Sequence, residues 1–152
     1  MSEHSATIEW RRATPDFNYP TYDRSHVWRF ESGVEILGCA SPANVPATAP
    51  KAPGVDPEEG FVAAISSCHM LWFLHVACTR KLTVDRYSDH ATGVLEKDRA
   101  GKMSVTRVTL RPAMVFSGAQ PTAEQLGELH EEAHEQCFIA NSVKTEIVIE
   151  PR

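Results

Sequence analysis

The sequence has little of what would place it in several large classes of protein. Positive charge is not in excess: 15 Lys and Arg stand against 20 Asp and Glu, a net charge of −5, whereas nucleic-acid phosphates call for a basic surface. The N-terminal segment has no apolar stretch typical of a secretory signal. The longest apolar segment, 61–78, is interrupted by serines and histidines, which is typical of a core helix rather than a membrane span. We expect a cytoplasmic protein that binds neither nucleic acid nor membranes.

The four cysteines, Cys39, Cys68, Cys78 and Cys137, include no C-x-x-C pair, so a structural zinc ribbon is not expected. Cytoplasmic thiols are kept reduced. A chain of 152 residues that is 42% apolar can build one core without disulfides. The cysteines are therefore either inert packing or the basis of redox catalysis.

The first third of the chain reads as short strands and loops. Alternating apolar and polar residues at 7–11, 26–31 and 34–37 predict an antiparallel β-meander within 1–40. The segment 41–55 contains four prolines and is predicted to be a connecting loop.

A long helix is predicted over 56–81. Asp56 can cap it, Pro57 suits the first helical position, and Glu59 completes a capping box. The body of the helix is apolar on most faces, so other protein must surround it. The residues with helical spacing along the expected buried face are Phe61, Ala64, Ile65, Cys68, Trp72, His75 and Val76.

The remainder predicts a β-hairpin over 83–117, a second helix over 121–137 and a C-terminal strand over 142–150. Thr122 and Gln125 have the spacing of a capping box. The second helix puts its apolar residues on one stripe, formed by Leu126, Leu129, Ala133 and Cys137. The order of elements predicts an α+β fold, an antiparallel sheet with two principal helices.

Cys68 and Cys137 thus fall on the inward stripes of two different helices. They could approach each other only through the fold, since 69 residues separate them. A pair of this kind could act as a peroxidatic and a resolving cysteine, in which a sulfenic acid condenses with a second thiol. Spacing alone favours the other interpretation, in which buried cysteines pack as small hydrophobes.

Two segments change that balance. DPEEGFVAAISSCHMLWFL, residues 56–74, resembles the signature of the OsmC/Ohr family, in which a reactive cysteine follows the first Glu by ten residues. HEEAHEQCFIANSV, residues 130–143, is similar to the family's second signature, a cysteine that closes a helix. The resemblance covers nearly the whole chain. It implies a thiol peroxidase that reduces organic hydroperoxides, with Cys68 peroxidatic and Cys137 resolving.

The resemblance also implies a catalytic arginine from the N-terminal meander, oriented by Glu58. The candidates are Arg24 and Arg29. We prefer Arg24, because a loop residue can swing over a buried thiol, whereas Arg29 lies within a predicted strand. A thiol on an apolar helix face needs such a cationic partner, since burial disfavours the thiolate, and a carboxylate can hold a guanidinium through a bidentate pair.

An alkyl group of the substrate could lie against the apolar side chains of Met70, Trp72, Phe73 and Phe138. The resemblance further implies an intertwined homodimer, with the long central helix covered by both subunits and two sites at the interface. The implied reductant is a small or protein-bound dithiol such as dihydrolipoamide. No metal, flavin or haem is required.

Two other functions remain open. The fold could serve as a binding module that holds an apolar ligand without turnover. Residues 130–134, His-Glu-Glu-Ala-His, match the H-E-x-x-H pattern of zinc metalloproteases. The only nearby candidates for a third ligand are Glu135 and Glu150, whereas a catalytic zinc needs three protein ligands. Adventitious zinc binding at His130 and His134 is the more reasonable expectation for that motif.

Overall fold

The computed structural model describes residues 1–152, and the chain divides into two units, Met1–Gly60 and Phe61–Arg152. In the first unit, three strands pair antiparallel in the order β1–β2–β3: β1 (Ala6–Glu9), β2 (His26–Phe30) and β3 (Glu35–Gly38). This sheet is the predicted meander. Gly33 makes the turn between β2 and β3 with φ +84°, a conformation that glycine adopts without strain.

The proline-rich segment that follows contains one turn of 3-10 helix, Pro42–Asn44, and otherwise no regular helix or strand. Its end is tied back to β3 by two backbone hydrogen bonds. The N–H of Val55 donates to the carbonyl of Leu37 at 2.8 Å, and the N–H of Cys39 donates to the carbonyl of Val55 at 3.1 Å. The loop therefore runs directly from the sheet into the long helix.

Helix α1 spans Pro57–Thr79 and begins with the predicted capping box. The N–H of Glu59 donates to Oδ1 of Asp56 at 2.8 Å, and the N–H of Asp56 donates to Oε2 of Glu59 at 3.2 Å. The expected inward stripe was partly wrong. The buried residues of α1 are Ile65, His69, Phe73, Val76 and Ala77, whereas His75 is exposed and Cys68 and Trp72 are half-buried.

The apolar surface of α1 exceeds what the rest of the chain covers. Only 28% of its most apolar stretch is buried, and Leu71 is 63% exposed. By length and composition alone α1 could cross a membrane, but core helices of soluble proteins pass the same test. The full burial that the composition of this helix predicts is therefore not observed.

In the second unit each long predicted strand is divided in two. The strands are β4 (Thr83–Asp89), β5 (Thr92–Lys97), β6 (Met103–Leu110) and β7 (Pro112–Ser117). β4 pairs with β7 and β5 pairs with β6, so the expected hairpin bends sharply and contributes to two sheets. Pro112 marks the bend in one arm. Asp89 braces the bend, because its carboxylate accepts hydrogen bonds from the N–H of Arg111 at 2.6 Å and from the hydroxyl of Ser66 at 2.5 Å.

The C-terminal strand β8 (Glu146–Ile149) pairs parallel with β6, so the sheet β5–β6–β8 is mixed rather than wholly antiparallel as expected. The chain between these strands includes a second helix, α2 (Ala123–Gln136), so the connection is long enough for a parallel pair. Part of the predicted strand is instead a 3-10 turn, Ala140–Ser142.

Helix α2 spans Ala123–Gln136 and has the predicted capping box at Thr122 and Gln125. Its inward stripe packs on α1 in a core cluster that consists of Phe73, Val76, Ala77, Leu129 and Ala133. A second cluster joins α1 to β6 and consists of Ile65, Val108 and Leu110. The two helices that carry Cys68 and Cys137 are therefore held together by packed apolar side chains.

Candidate active site

The side chains of Cys68 and Cys137 lie near each other in the second unit. Cys68 lies in the middle of α1 and is half-buried, whereas Cys137 caps the C-terminus of α2 and is 1% exposed. The two side chains are close enough for Cys68 to influence the pKa of Cys137, and neither forms a disulfide. The fold thus brings together two cysteines that 69 positions of sequence hold apart.

The surroundings of Cys137 favour its protonated form. Burial, with a smaller effect from the neighbouring Cys68, raises the pKa of the Cys137 thiol to about 11. The N–H of Ala140 donates to Sγ of Cys137 at 3.4 Å and partly opposes that shift. Cys137 is therefore a neutral thiol near pH 7, which suits a group that reacts second rather than the sulfur that attacks first.

A pair of buried histidines lies on the same two helices as the cysteines. Nε2 of His69, on α1, is 3.0 Å from Nδ1 of His130, on α2, and the two rings are stacked with an interplanar angle of 9°. Their side chains are almost fully buried, 1% and 4% exposed. Phe73 stacks on His130 with ring centroids 4.5 Å apart.

Both histidines are neutral at physiological pH. Burial is the main cause that lowers the pKa of His69 to about 4, with a smaller effect from His130, and burial likewise lowers the pKa of His130 to about 4. The outer ring nitrogens, Nδ1 of His69 and Nε2 of His130, have no hydrogen-bond partner. In either arrangement of the shared proton, one of these nitrogens carries a hydrogen and the other a lone pair.

The metalloprotease motif does not form a zinc site. His130 directs Nδ1 to His69 in the core, and no group of three His, Cys, Asp or Glu side chains is placed to hold a metal ion. Adventitious zinc binding by His130 and His134, expected from the sequence, has no support in this arrangement. The motif arises because one face of α2 is buried and the other is acidic.

The four side chains predicted to contact the substrate differ in their positions. Phe73 is fully buried in the core against Tyr87 and His130, so it offers no surface to a ligand, and the sequence-based assignment was wrong for it. Trp72 and Phe138 form an edge-to-face pair with ring centroids 5.3 Å apart, and Phe138 is 68% exposed. Met70 is half-buried.

Arg24 and Glu58 both line a cavity of about 660 Å³ in the N-terminal unit. No ion pair joins them. The guanidinium of Arg24 lies 3.7 Å from the ring centroid of Tyr22 and donates to the carbonyls of Tyr22 at 2.9 Å and Tyr19 at 2.7 Å. The carboxylate of Glu58 accepts a hydrogen bond from Asn44 at 3.4 Å. The bidentate pair expected between Glu58 and the arginine is therefore not formed here.

The alternative arginine, Arg29, is occupied within the β-sheet. Its guanidinium is ion-paired with Glu9 of β1 and Glu35 of β3.

Cys39 lines the same cavity as Arg24, and its thiol donates to the carbonyl of Gly54 at 3.3 Å. Burial and the carboxylates of Asp56 and Glu59 raise the pKa of Cys39, which disfavours its thiolate.

Two features of these sites were not predicted. The sequence does not predict the link between His69 and His130, because the two residues are 61 positions apart and His130 belongs to the zinc-type motif. The aromatic wall of the N-terminal cavity was also missed, although a run of aromatic residues between prolines at 15–22 could have indicated it. That wall includes Trp10, Phe17, Tyr19 and Tyr22, with Trp10 and Phe17 ring centroids 5.6 Å apart.

Comparison with known proteins finds one matching family and several solved structures with a similar fold. Residues 49–152 match the family model described as OsmC-like protein. An OsmC-like protein of unknown function from Vibrio cholerae is 52% identical, with TM-score 0.94 over 100% of both chains. The organic hydroperoxide resistance protein OhrB of Bacillus subtilis is 21% identical, with TM-score 0.71 over 99% of this chain and 98% of that one. A Legionella pneumophila organic hydroperoxide resistance protein is 16% identical, with TM-score 0.69 over 99% and 96%. The search of functionally curated proteins gives no match.

Proposed function

This chain belongs to the OsmC-like family, and we propose that it is a cysteine-based peroxidase that reduces organic hydroperoxides to alcohols. The observation that carries the proposal is the proximity of the side chains of Cys68 and Cys137. Structural neighbours that include organic hydroperoxide resistance proteins support the class of substrate. We place the protein in the cytoplasm, where a dithiol is available to reduce it.

The proposed reaction has three steps. The thiolate of Cys68 attacks the peroxide oxygen, the O–O bond breaks, and the alcohol leaves as Cys68 becomes a sulfenic acid. The thiol of Cys137 then attacks the sulfur of Cys68, which releases water and forms the disulfide. A dithiol such as dihydrolipoamide reduces that disulfide and is itself oxidised to a cyclic disulfide.

Mass spectrometry after one equivalent of cumene hydroperoxide tests the pairing. We expect loss of two hydrogens from the protein and a disulfide-linked peptide pair containing Cys68 and Cys137. Their side chains already lie near each other in the fold, which favours this pairing over one with a more distant cysteine. A linkage from Cys68 to Cys39 or Cys78 would mean that another residue resolves the sulfenic acid.

Arg24 is the arginine that we assign to the reaction, with Glu58 to orient it. Both line one cavity, whereas Arg29 is neutralised by two glutamates. Substituting Arg24→Ala is expected to lower kcat/KM for cumene hydroperoxide by about a hundredfold, because a fixed cation that stabilises developing negative charge contributes on that order.

Arg29→Ala is the matched control for this measurement and should stay within about threefold of wild type, because rim charges engaged in exposed ion pairs contribute little. If Arg29→Ala loses the activity and Arg24→Ala keeps it, the assignment of the two arginines is reversed.

We also propose that two copies of this chain form a homodimer through the uncovered apolar face of α1. The exposure of Leu71 on a helix with only 28% of its apolar stretch buried supports this. Light scattering should give twice the monomer mass for the wild type. Leu71→Glu should shift the protein toward monomer, since an uncompensated carboxylate in an apolar interface is costly. Glu131→Gln, on the exposed face of α2, is a control that should remain dimeric.

A further inference from the structure

Two separate links connect the helices that carry the cysteines. One is the close approach of Cys68 to Cys137, and the other is the 3.0 Å hydrogen bond between His69 and His130. On α1 the two links start from neighbouring residues. On α2 the two links end at His130 and Cys137, which are seven residues apart, or about 10 Å along a helix. A tilt or slide of α2 against α1 that separated the thiols would therefore also strain the histidine link.

The histidine link is well suited to fix that geometry. Both rings are almost fully buried, and the ring of Phe73 stacks on that of His130. A hydrogen bond between buried polar groups is directional, and breaking it leaves both partners without water to replace it. Apolar packing around it, which includes Leu129 and Ala133, tolerates small sliding movements that a hydrogen bond does not.

The link also persists across the working pH range of the protein. The low pKa of both rings, caused mainly by burial, keeps them neutral near pH 7, with one proton shared between the facing nitrogens. The neighbouring ionisable groups are Asp89 of β4 and His134 of α2, and their influence on the pair is smaller than that of burial.

We propose that His69 and His130 are positioning residues for the resolving step: their hydrogen bond holds α1 and α2 so that the thiol of Cys137 can reach the oxidised sulfur of Cys68. The inference rests on the proposed peroxidase function. The step it controls is attack of Cys137 on the sulfenic acid of Cys68, with formation of the S–S bond and release of water. Neither histidine exchanges a proton with substrate in this role.

The test is a single-turnover experiment with one equivalent of cumene hydroperoxide, in which two rates are measured separately. Trapping with dimedone and mass spectrometry give the rate at which Cys68 becomes a sulfenic acid, and non-reducing peptide mapping gives the rate of disulfide formation. His130→Leu keeps the side-chain bulk and removes the hydrogen bond. It should slow disulfide formation by about tenfold or more, because small misplacements of reacting groups have effects of that size. Sulfenic acid formation should stay within about threefold of wild type.

Rescue by a conservative variant separates positioning from general damage to the fold. In the double variant His69→Gln/His130→Asn, amide groups take the places of the facing ring nitrogens, so a hydrogen bond can form without an imidazole. Disulfide formation should return to within about threefold of wild type. His90→Gln, at an exposed position between β4 and β5, is the matched control and should behave as wild type. Near-ultraviolet circular dichroism checks the fold of each variant. If His130→Leu is not folded, His69→Leu replaces it, and if the double variant is not folded, His69→Gln alone replaces that.

The outcomes distinguish the inference from the function on which it rests. Slow disulfide formation in His130→Leu with rescue in the amide variant supports the positioning role. A wild-type rate in His130→Leu, or a slow rate that the folded amide variant does not restore, overturns it while leaving the peroxidase intact. Absence of sulfenic acid at Cys68 in the wild-type protein overturns the peroxidase proposal, and the positioning role with it.

Discussion

Replacing Cys68 with serine is expected to lower the rate of organic hydroperoxide consumption by at least about a thousandfold, the order of loss seen when a catalytic nucleophile is removed. Serine keeps the size of the side chain but ionises far less readily than a thiol, and its oxygen does not cycle through a sulfenic acid. The rate is measured as loss of cumene hydroperoxide in the presence of dihydrolipoamide.

Two other cysteine variants sharpen this experiment. Cys78→Ser changes an exposed cysteine ten residues further along the same helix and should retain wild-type activity. Cys137→Ser should consume about one equivalent of peroxide and then stall as the sulfenic acid, because the resolving thiol is gone. If wild type and Cys68→Ser consume the peroxide equally slowly, the chain is not a peroxidase, and the binding module for an apolar ligand becomes the better explanation.

Acid should destabilise the protein through His69 and His130 before its carboxylates are fully protonated. In the unfolded chain each ring has its ordinary pKa of 6.5, and in the fold burial lowers the pKa of each to about 4. Between these values the unfolded chain binds more protons, so the free energy of unfolding decreases as the pH falls from about 6.5 to about 4. One pKa unit corresponds to about 1.4 kcal/mol. Each ring should therefore lower the free energy of unfolding by roughly 2 to 3 kcal/mol at about pH 4.5, relative to neutral pH.

Urea unfolding at about pH 7.5 and about pH 4.5, at one protein concentration, measures this loss. The variant His69→Gln/His130→Asn has no imidazole at the pair. Its loss of unfolding free energy between the two pH values should therefore be smaller than that of the wild type by several kcal/mol. His90→Gln, which alters an exposed histidine between β4 and β5, should retain the wild-type slope. Equal slopes in the wild type and the amide variant would mean that the buried histidines are not neutral in the fold.

The starts of both helices could be predicted from the sequence. The capping boxes at Asp56 and Thr122 are local, since each is formed by residues three positions apart in the chain, and both are present in the structure. The order of strands and helices was likewise predicted, because alternating and helical apolar patterns are properties of short segments. The division of the hairpin at Pro112 and the parallel pairing of β8 with β6 were not, since pairing of distant strands depends on the whole chain.

The site shows the same limit on a smaller scale. Helical spacing put Cys68 and Cys137 on inward stripes, and resemblance to a family suggested that they pair. Neither the spacing nor the resemblance revealed that His69, rather than Cys68, lies at the centre of the buried stripe of α1. The packing of α2 across α1 sets how deeply each side chain is buried.

The sequence by itself determined where the helices begin and the α+β class, and it supplied the motifs on which the proposed roles of Cys68 and Cys137 rest, because these follow from patterns within a few turns of chain. Only the tertiary structure decided that Cys68 lies close enough to influence the pKa of Cys137 and that His69 is hydrogen-bonded to His130. It also decided that Phe73 is core rather than pocket. Each of these depends on residues far apart in sequence, and distances between such residues are defined only once the helices pack on each other and on the sheets.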